Sequence, residues 1–335
     1  MADRVDRRRF ITISAAAAGV GLIPFGASQK SAEAHLVEWR GASLGAVATI
    51  RIHHKDQTAA HRLLRQVVSE TRRLETIFSL YRPDSSLCEL NRHGVLVAPP
   101  AELSELLTLC DHFWRLTHGT FDPTVQPLWR CYADYFAMND RTSEGPSVAK
   151  RKEALKLVGW ERVRFDRDKV VLDRPGMGLT LNGIAQGYIT DRVVELLRAA
   201  GIESCLVDMG EIRGLGAHPD GRPWDVALEA PSGAFGEDQS ISIVNKAVAT
   251  SGAAGFRFDE QGRFNHLFDP STGACAHPAR NLTVVAATAV AADALSTAFA
   301  LTDEEGIKSA LTRSGDAQSY ITIESGTRAI AATGG

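Results

Sequence analysis

The clearest sign of the fold lies in residues 181–207, which read LNGIAQGYITDRVVELLRAAGIESCLV. Apolar residues recur at helical spacing over 184–200, and Gly201 follows as a common helix terminator. Residues 204–207 form a short apolar run that is typical of a buried strand. This region therefore predicts a glycine-rich loop, a helix that begins within it, and a strand soon after the helix.

The rest of the chain mixes the same two kinds of element without a regular order. Further helices are predicted after a capping Asp56 and over 99–118, 147–158 and 293–301. Strands are predicted at 47–53, 224–229, 240–244, 282–286 and 318–323, with a hairpin over 162–172. Because helices and strands do not alternate as βαβ units, we predict an α+β fold: mixed sheets with packed helices in a single compact unit.

The composition is that of a globular protein and excludes several classes. The chain has 335 residues, of which 44% are hydrophobic and 23% charged, and a formal net charge of −3. These values exclude disordered, collagen-like and disulfide-scaffold proteins, and the lack of a basic excess argues against nucleic acid as a partner. The five cysteines form no C-x-x-C pair, so we expect no thiolate zinc site and no iron–sulfur cluster.

The N-terminus has the features of an export signal. Residues 6–12 read DRRRFIT, an alanine-rich apolar run follows over 13–26, and 32–34 (AEA) is a small-x-small cleavage site. Twin arginines before such a run predict a Tat signal peptide over 1–34, removed in the periplasm, and one folded domain over 35–335. A membrane anchor is the alternative, but Pro24 interrupts the run. Residues 1–34 hold five basic and three acidic residues, so the remaining chain has a net charge of −5.

One pair of polar residues has the spacing of a cation site. Asp293 and Thr297 are four residues apart, which places them on one face of a helix otherwise made of alanine and leucine. A carboxylate on a buried helix needs a partner, and a hard cation bound by carboxylate and hydroxyl oxygens is one candidate. The alternative is structural: Asp293 caps the helix, and Thr297 bonds back to a carbonyl.

Three other motifs each leave two readings open. The glycines of 183–187 (GIAQG) suit a phosphate at a helix N-terminus, or merely a tight turn and close packing. His266 precedes the turn 269–273 (DPSTG) and is either a base or ligand anchor, or an ordinary residue at the edge of the core. Asp122 before Pro123 starts a turn or recognises a ribose or base edge.

Taken together and in order, these motifs resemble the ApbE family of FAD:protein FMN transferases. The resemblance runs from about residue 44 to residue 301. The matching pieces are 79–91 (SLYRPDSSLCELN), 121–124 (FDPT), 183–188 (GIAQGY), 249–252 (ATSG), 266–273 (HLFDPSTG) and 292–297 (ADALST). Each piece alone is modest, but six in the family's order are specific, and they imply an ApbE-like flavin transferase fold.

The resemblance implies an activity and a set of site residues. Such enzymes cleave the pyrophosphate of FAD and attach the FMN half, through its phosphate, to a threonine or serine of a target flavoprotein; AMP leaves and Mg²⁺ is required. The target hydroxyl needs a base, for which His266 is the first choice and Asp293 or another carboxylate is the rival. The implied metal ligands are Asp293, Thr297 and the Ala185 carbonyl. The implied FAD contacts are Leu44, Tyr81, Thr120, Phe121, Asp122, Asn182, Tyr188 and His266.

Aromatic and acidic residues among these contacts have readings of their own. Tyr81 and Phe121 would face the rings of FAD, or else pack in the core. Asp122 would read adenine or ribose. Two other activities also stay open for such a site, namely an FAD pyrophosphatase that releases FMN and AMP, and an exported protein that binds FAD without using it.

The chain departs from the family pattern in three places. It has LGA at 44–46 where the family often has Met-Gly-Thr, and TLNGIAQG at 180–187 where the family commonly has Asp-Leu-Gly-Gly-Ile-Ala-Lys-Gly. It has MGE at 209–211 in place of Gly-Gly-Asp. The export signal and the LGA segment resemble the branch that accompanies nitrous-oxide reductase maturation (NosX-like), which implies a membrane or exported flavoprotein as the target.

Overall fold

The computed structural model describes residues 35–139, 144–229, 231, 235–323, 325–330 and 332. The predicted signal peptide over 1–34 lies outside these residues. The helices are α1 (Gln57–Phe78), α2 (Ser86–His93), α3 (Ala101–Leu116), α4 (Gln126–Met138), α5 (Val148–Leu155), α6 (Ala185–Ala199), α7 (Ala289–Phe299) and α8 (Glu304–Ser314).

Thirteen strands accompany these helices in the described part of the chain. They are β1 (His35–Ser43), β2 (Ala46–His54), β3 (Val95–Val97), β4 (Val163–Phe165), β5 (Lys169–Leu172), β6 (Cys205–Asp208), β7 (Ile212–Leu215), β8 (Trp224–Glu229), β9 (Phe235–Ile243), β10 (Ala247–Gly252), β11 (Asn281–Ala286), β12 (Gln318–Ile323) and β13 (Gly326–Ile330).

An antiparallel sheet of eight strands forms the centre of the fold. Its strands are adjacent in the order β1, β2, β6, β7, β10, β11, β12 and β13. A three-stranded sheet (β3, β5, β4) and the hairpin β8–β9 complete the strand pairing among the described residues. Helices and antiparallel sheets in this arrangement confirm the predicted α+β class.

The two faces of the large sheet carry different coverings. Since side chains alternate along a strand, Val207 and Val284 join the main core with the helices, whereas their neighbours Leu206 and Val285 form a second cluster with Trp224 of the hairpin β8–β9. The sheet is therefore buried on both sides, and α6 and α7 lie side by side against its helical face.

The α6–α7 contact depends on one glycine and one aspartate of α6. A Cβ on Gly187 would lie 2.4 Å from the carbonyl oxygen of Ala289, so only glycine allows this approach. Asp191 accepts the backbone N–H groups of Ala289 (2.8 Å) and Val290 (2.9 Å), which are the first two residues of α7. Asp191 also pairs with Arg213 of β7. The N-terminus of α7 is thus fixed by a side chain of the neighbouring helix.

Most of the sequence predictions for individual elements are confirmed. Asp56 caps α1, its side chain accepting from the N–H of Ala59, and the hairpin over 162–172 appears as β4 and β5. The structural alternative for Asp293 is wrong, because α7 begins four residues earlier and Thr288 is its N-cap. The elements that the sequence reasoning missed are α2, α4, α8, β1, β3, β7, β10 and β13. None of the eight described helices combines the length and the apolar character needed to cross a membrane.

Candidate active site

A deep cleft opens where the N-terminal end of α6 meets α7 and β10. It holds about 1250 Å³ of space not filled by protein, including the part open to solvent. Loops over 120–125, 252–255 and 266–268 form the facing wall. The predicted site residues that line the cleft are Thr120, Phe121, Asp122, Asn182, His266, Asp293 and Thr297. Seven predicted residues from four separate segments therefore lie around one cavity.

Asp293 and Thr297 lie against the loop that starts α6. Asp293 is 3% exposed, and its Oδ2 accepts the backbone N–H of Gly187 at 3.0 Å. A Cβ on Gly183 would be 2.8 Å from Oγ1 of Thr297, so this glycine leaves room for the threonine hydroxyl. Ala185, the first residue of α6, lies between the two glycines in the chain. The geometry thus brings the predicted cation-site residues of both helices to the same wall of the cleft.

A second buried carboxylate, that of Glu211, lines the same cavity. Glu211 is 5% exposed and follows β6 in the short connection to β7. Burial, and then the charges of Asp293 and Asp208, hold the pKa of Glu211 well above its usual range. Burial likewise raises the pKa of Asp293, against the opposing effect of the Gly187 N–H. Negative charge in this part of the cleft is therefore costly in the absence of a cation.

His266 lies across the cleft as a neutral imidazole. Its Nδ1 is 3.3 Å from the carbonyl oxygen of Phe256, so this nitrogen carries the proton and Nε2 has a free lone pair. Burial lowers the pKa of His266, which keeps the ring neutral at pH 7. The ring packs against Gly255, where a Cβ would be 3.1 Å from Cε1. A neutral, oriented imidazole at a cavity wall is suited to accept a proton.

Comparison with known proteins agrees with this geometry. A model of the ApbE family matches residues 44–321. The chain belongs to the ApbE family. A Vibrio cholerae FAD:protein FMN transferase is 31% identical over 262 residues, covering 74% of each chain, and one from Haemophilus influenzae is 30% identical over 239 residues, covering 68% of each. The solved ApbE protein from Thermotoga maritima has a TM-score of 0.78 and 28% identity, covering 88% of this chain and 97% of that one.

In this ApbE-family chain, Asp122 holds the loop that carries Phe121. Its Oδ1 accepts the backbone N–H (2.7 Å) and the hydroxyl (2.6 Å) of Thr124, and its Oδ2 accepts the N–H of Trp160 at 3.2 Å. Burial raises its pKa to about 6, although these hydrogen bonds act in the opposite direction. The carboxylate therefore positions the cleft wall, and its contact with ribose or adenine stays a prediction.

The two predicted aromatic contacts lie at different depths. Phe121 is 4% exposed, and its ring meets that of Phe113 edge-on at 6.4 Å, so most of the ring is packed in the core. Tyr81 does not line the cleft itself but lies beside Asn182, which does. Burial raises the pKa of Tyr81 to about 12, so its hydroxyl keeps its proton. Both core packing and a place near the cleft thus apply to this pair.

Two further predicted FAD contacts, Tyr188 and Leu44, also do not line the cleft. The hydroxyl of Tyr188 donates to Oε2 of Glu105 at 2.7 Å, and its ring packs edge-on against Phe78. Leu44 lies in the tight turn between β1 and β2 with φ +47°, and its N–H donates to Oε1 of Glu75 at 2.8 Å. The neighbouring Gly45 has φ +90°, so a leucine occupies a left-handed turn position that normally favours glycine or asparagine.

Sequence reasoning missed several residues of the cavity wall. Ser251 lies within a matched motif, and its hydroxyl is 2.9 Å from that of Ser296 and 3.4 Å from that of Thr297. Gln186 and Glu211 were noticed only as departures from the family pattern. Their place in those motifs was the one available signal. Among the described residues, no group of three or more His, Cys, Asp or Glu side chains is arranged to hold a metal ion.

Proposed function

We propose that this chain is an FAD:protein FMN transferase. In this reaction a serine or threonine hydroxyl oxygen of a target flavoprotein attacks the FMN-side phosphorus of FAD. The new P–O bond joins FMN to the target, the bond to the AMP phosphate breaks, and the hydroxyl proton passes to a base. The observation that carries the proposal is the meeting of Asp293, Thr297 and the start of α6 with His266 around one cleft, in a chain of the ApbE family.

A Mg²⁺ ion fits the residues at the α6–α7 wall. Asp293 is buried with one backbone N–H as its hydrogen-bond partner, and the Thr297 hydroxyl lies one helical turn away on the same face. We assign Asp293, Thr297 and the carbonyl of Ala185 as the residues that would hold the ion. Bound there, Mg²⁺ would neutralise charge on the phosphate oxygens of FAD and on the departing AMP. An oxygen-only set of this kind is what Mg²⁺ prefers.

His266 is our choice for the base. Its Nδ1 is committed to the Phe256 carbonyl, which leaves Nε2 to take the proton of the target hydroxyl. The neutral state favoured by burial is the state that a base requires. We expect His266→Asn to lower the transfer rate by about 10²- to 10⁴-fold while changing the Kd for FAD far less. An equal loss of both would make His266 a ligand contact and leave the base to a carboxylate.

The bound FAD would be contacted directly by Phe121, Thr120 and Asn182. Tyr81 would act indirectly, through its neighbour Asn182. Asn182 also receives support from its own loop, since its N–H donates to Oγ1 of Thr180 at 3.3 Å. The phosphates would meet the N-terminal end of α6, where backbone N–H groups and the helix dipole favour anions. Local contacts of this kind are needed because the chain, with a net charge of −3, offers anionic FAD no general attraction.

The twin-arginine segment supports export of the folded protein to the periplasm. The target would then be a membrane or exported flavoprotein with a Ser/Thr attachment site, and a flavoprotein of nitrous-oxide reductase maturation is our specific candidate. Replacing Arg7 and Arg8 by lysine should keep the full-length protein in the cytoplasm, as cell fractionation would show. Unchanged export of that variant would remove the support for this location.

One incubation separates the transferase from the other two activities. Purified protein is mixed with FAD, Mg²⁺ and a flavoprotein domain that carries a Ser/Thr attachment site. We expect flavin fluorescence to remain with the target after denaturation, together with release of AMP. Free FMN without labelled target would instead indicate an FAD pyrophosphatase, and unchanged FAD would indicate a binding protein without catalysis. A target whose acceptor hydroxyl is replaced by alanine is the matched control.

A further inference from the structure

Glu211 is a buried carboxylate that has no partner among the described residues. Its backbone carbonyl is well anchored, accepting the Thr190 hydroxyl at 3.3 Å and the N–H of Met209 at 3.1 Å. Its side chain is 5% exposed and lines the cleft together with Asp293. Within the ranges that the structure describes, no hydrogen bond or ion pair reaches the Glu211 carboxylate. Such a group is among the most expensive to bury.

The basic residues of the neighbouring strands are already engaged. Arg213 on β7 lies two residues after Glu211 in the chain, but its guanidinium pairs with Asp191. Arg51 on β2 binds the carboxylate of Glu38 at 2.7 Å, and its charge opposes the rise that burial causes in the pKa of Asp208. The positive charges of β2 and β7 thus serve other carboxylates.

Glu211 and Asp293 face the same space from two different elements. Glu211 comes from the β6–β7 connection and Asp293 from the second turn of α7, and each is more than nine-tenths buried. Asp293 accepts one hydrogen bond, from the Gly187 N–H, and the described residues supply neither carboxylate with a cation. Two buried carboxylates in this situation repel each other, and a bound cation would supply the missing positive charge. Both residues line the cleft, where such a ligand would enter.

We propose that Glu211 supplies the second carboxylate of the divalent-cation site built on Asp293 and Thr297. This inference rests on the proposed function, since it concerns the same ion. Mg²⁺ is typically held by one or two carboxylates and completes its coordination with water and substrate phosphates. Glu211 then acts as a positioning residue for the ion, and the departure from the family pattern at 209–211 keeps an acid at this place with a longer side chain.

The consequence is a metal-free protein that is destabilised by its own site. Mg²⁺ binding relieves the repulsion, whereas a neutral side chain at position 211 relieves it permanently. Glu211→Gln should therefore raise the melting temperature in EDTA and weaken the binding of Mg²⁺. The variant should therefore gain thermal stability and lose affinity for Mg²⁺, a combination that replacing a merely structural glutamate would not produce.

The test uses the purified protein with MgCl₂ alone, without FAD or target. Calorimetric titration measures the Kd for Mg²⁺, and thermal unfolding in EDTA measures the stability of the metal-free form. For Glu211→Gln we expect a Kd raised about 10- to 100-fold and a melting temperature raised by about 2 °C or more. Glu102→Gln, which neutralises a carboxylate of α3 paired with Arg73, is the matched control and should leave the Kd unchanged.

A second variant and the wild-type protein complete the test. Glu211→Asp keeps the charge but withdraws the carboxylate by one methylene, and it should also bind Mg²⁺ more weakly than wild type. Wild-type affinity in both Glu211 variants overturns the inference and leaves the site on Asp293 in place. A wild-type protein that binds no Mg²⁺ at millimolar concentration overturns both the cation site and the role of Glu211.

Discussion

Asp191 and Asp293 lie on facing helices, and each accepts hydrogen bonds from the first turn of the other helix. Asp191 on α6 accepts two N–H groups at the start of α7, and Asp293 on α7 accepts the N–H of Gly187 at the start of α6. Both side chains are buried, at 7% and 3% exposure. In this respect the two aspartates are near equivalents, exchanged across a single helix–helix contact.

Their electrostatic surroundings differ. Arg213 pairs with Asp191 and opposes the effect of burial on its pKa. Asp293 has no such cation among the described residues: burial and the charge of Asp191 raise its pKa, and its own charge raises the pKa of Glu211. A carboxylate with a built-in cation is complete without a ligand and serves the fold. One that faces another carboxylate is complete only when a cation is added. Asp191 therefore serves the packing of α6 against α7, whereas Asp293 serves the proposed cation site.

The largest effect is expected for Asp293→Asn. The variant removes the charge that would hold the cation but keeps an oxygen for the Gly187 N–H, so the fold should be retained. We expect FMN transfer to fall by about 10³-fold or more, because several kcal/mol of transition-state stabilisation depend on the ion. Covalent flavin on the target protein measures the rate. Transfer near the wild-type rate would show that Asp293 is not a metal ligand.

For Asp191→Ala we expect the main effect on stability, whereas for Asp293→Asn it is on activity. Asp191→Ala leaves the Arg213 guanidinium buried without its partner and two N–H groups of α7 unsatisfied. The free energy of unfolding should fall by about 3–5 kcal/mol, as measured by urea denaturation in EDTA. Arg192→Ala on the exposed side of α6 is the control, with an expected change of about 0.5 kcal/mol or less. A loss of similar size in Asp293→Asn would abolish the distinction between the two aspartates.

The sequence predicted elements with a clear period and failed where long-range contacts decide. The helices α1, α3 and α6 follow from apolar spacing alone, whereas β1 and β10 have no strong alternation. The start of α7 was placed at Asp293 because aspartate is a good N-cap. The true start at Thr288 is stabilised by Asp191, almost a hundred residues away in the chain.

The candidate site, like the fold, could be predicted from the sequence only in part. The spacing of Asp293 and Thr297 was visible as a helix face, and the ordered motifs identified the family. The repulsion between Asp293 and Glu211 was not visible, because it arises only when β6, β7 and α7 pack together. Tyr188 as an FAD contact stays a prediction, since its hydroxyl donates to Glu105 and the residue does not line the cleft.

Asp122 is a third kind of buried carboxylate, different from both Asp191 and Asp293. It lacks a cation but receives three hydrogen bonds, and burial raises its pKa to about 6. Because the folded form binds the proton of Asp122 more tightly than the unfolded form, the contribution of Asp122 to stability should fall as pH rises from about 4 to 6 and then level off.

The matched variant for that slope is Asp122→Asn, which keeps the shape and does not titrate. Between pH 3.5 and pH 7, the unfolding free energy of the wild type should fall by about 3 kcal/mol relative to that of the variant. Urea denaturation at each pH, with and without MgCl₂, measures it. If MgCl₂ abolished this pH dependence, Asp122 would be a cation ligand like Asp293, contrary to what its hydrogen bonds indicate.

The smallest effect is expected at Gln186, which is a donor counterpart of Glu211. Gln186 is 8% exposed and lines the cleft, and its Nε2 has no hydrogen-bond partner among the described residues. If this amide serves FAD, Gln186→Met should change the unfolding free energy by only about 1 kcal/mol or less, since no internal bond is lost, while the KM for FAD rises several-fold. Steady-state kinetics at saturating target protein measures the KM. A variant with lower stability and an unchanged KM would instead show that Gln186, like Asp191, serves the fold.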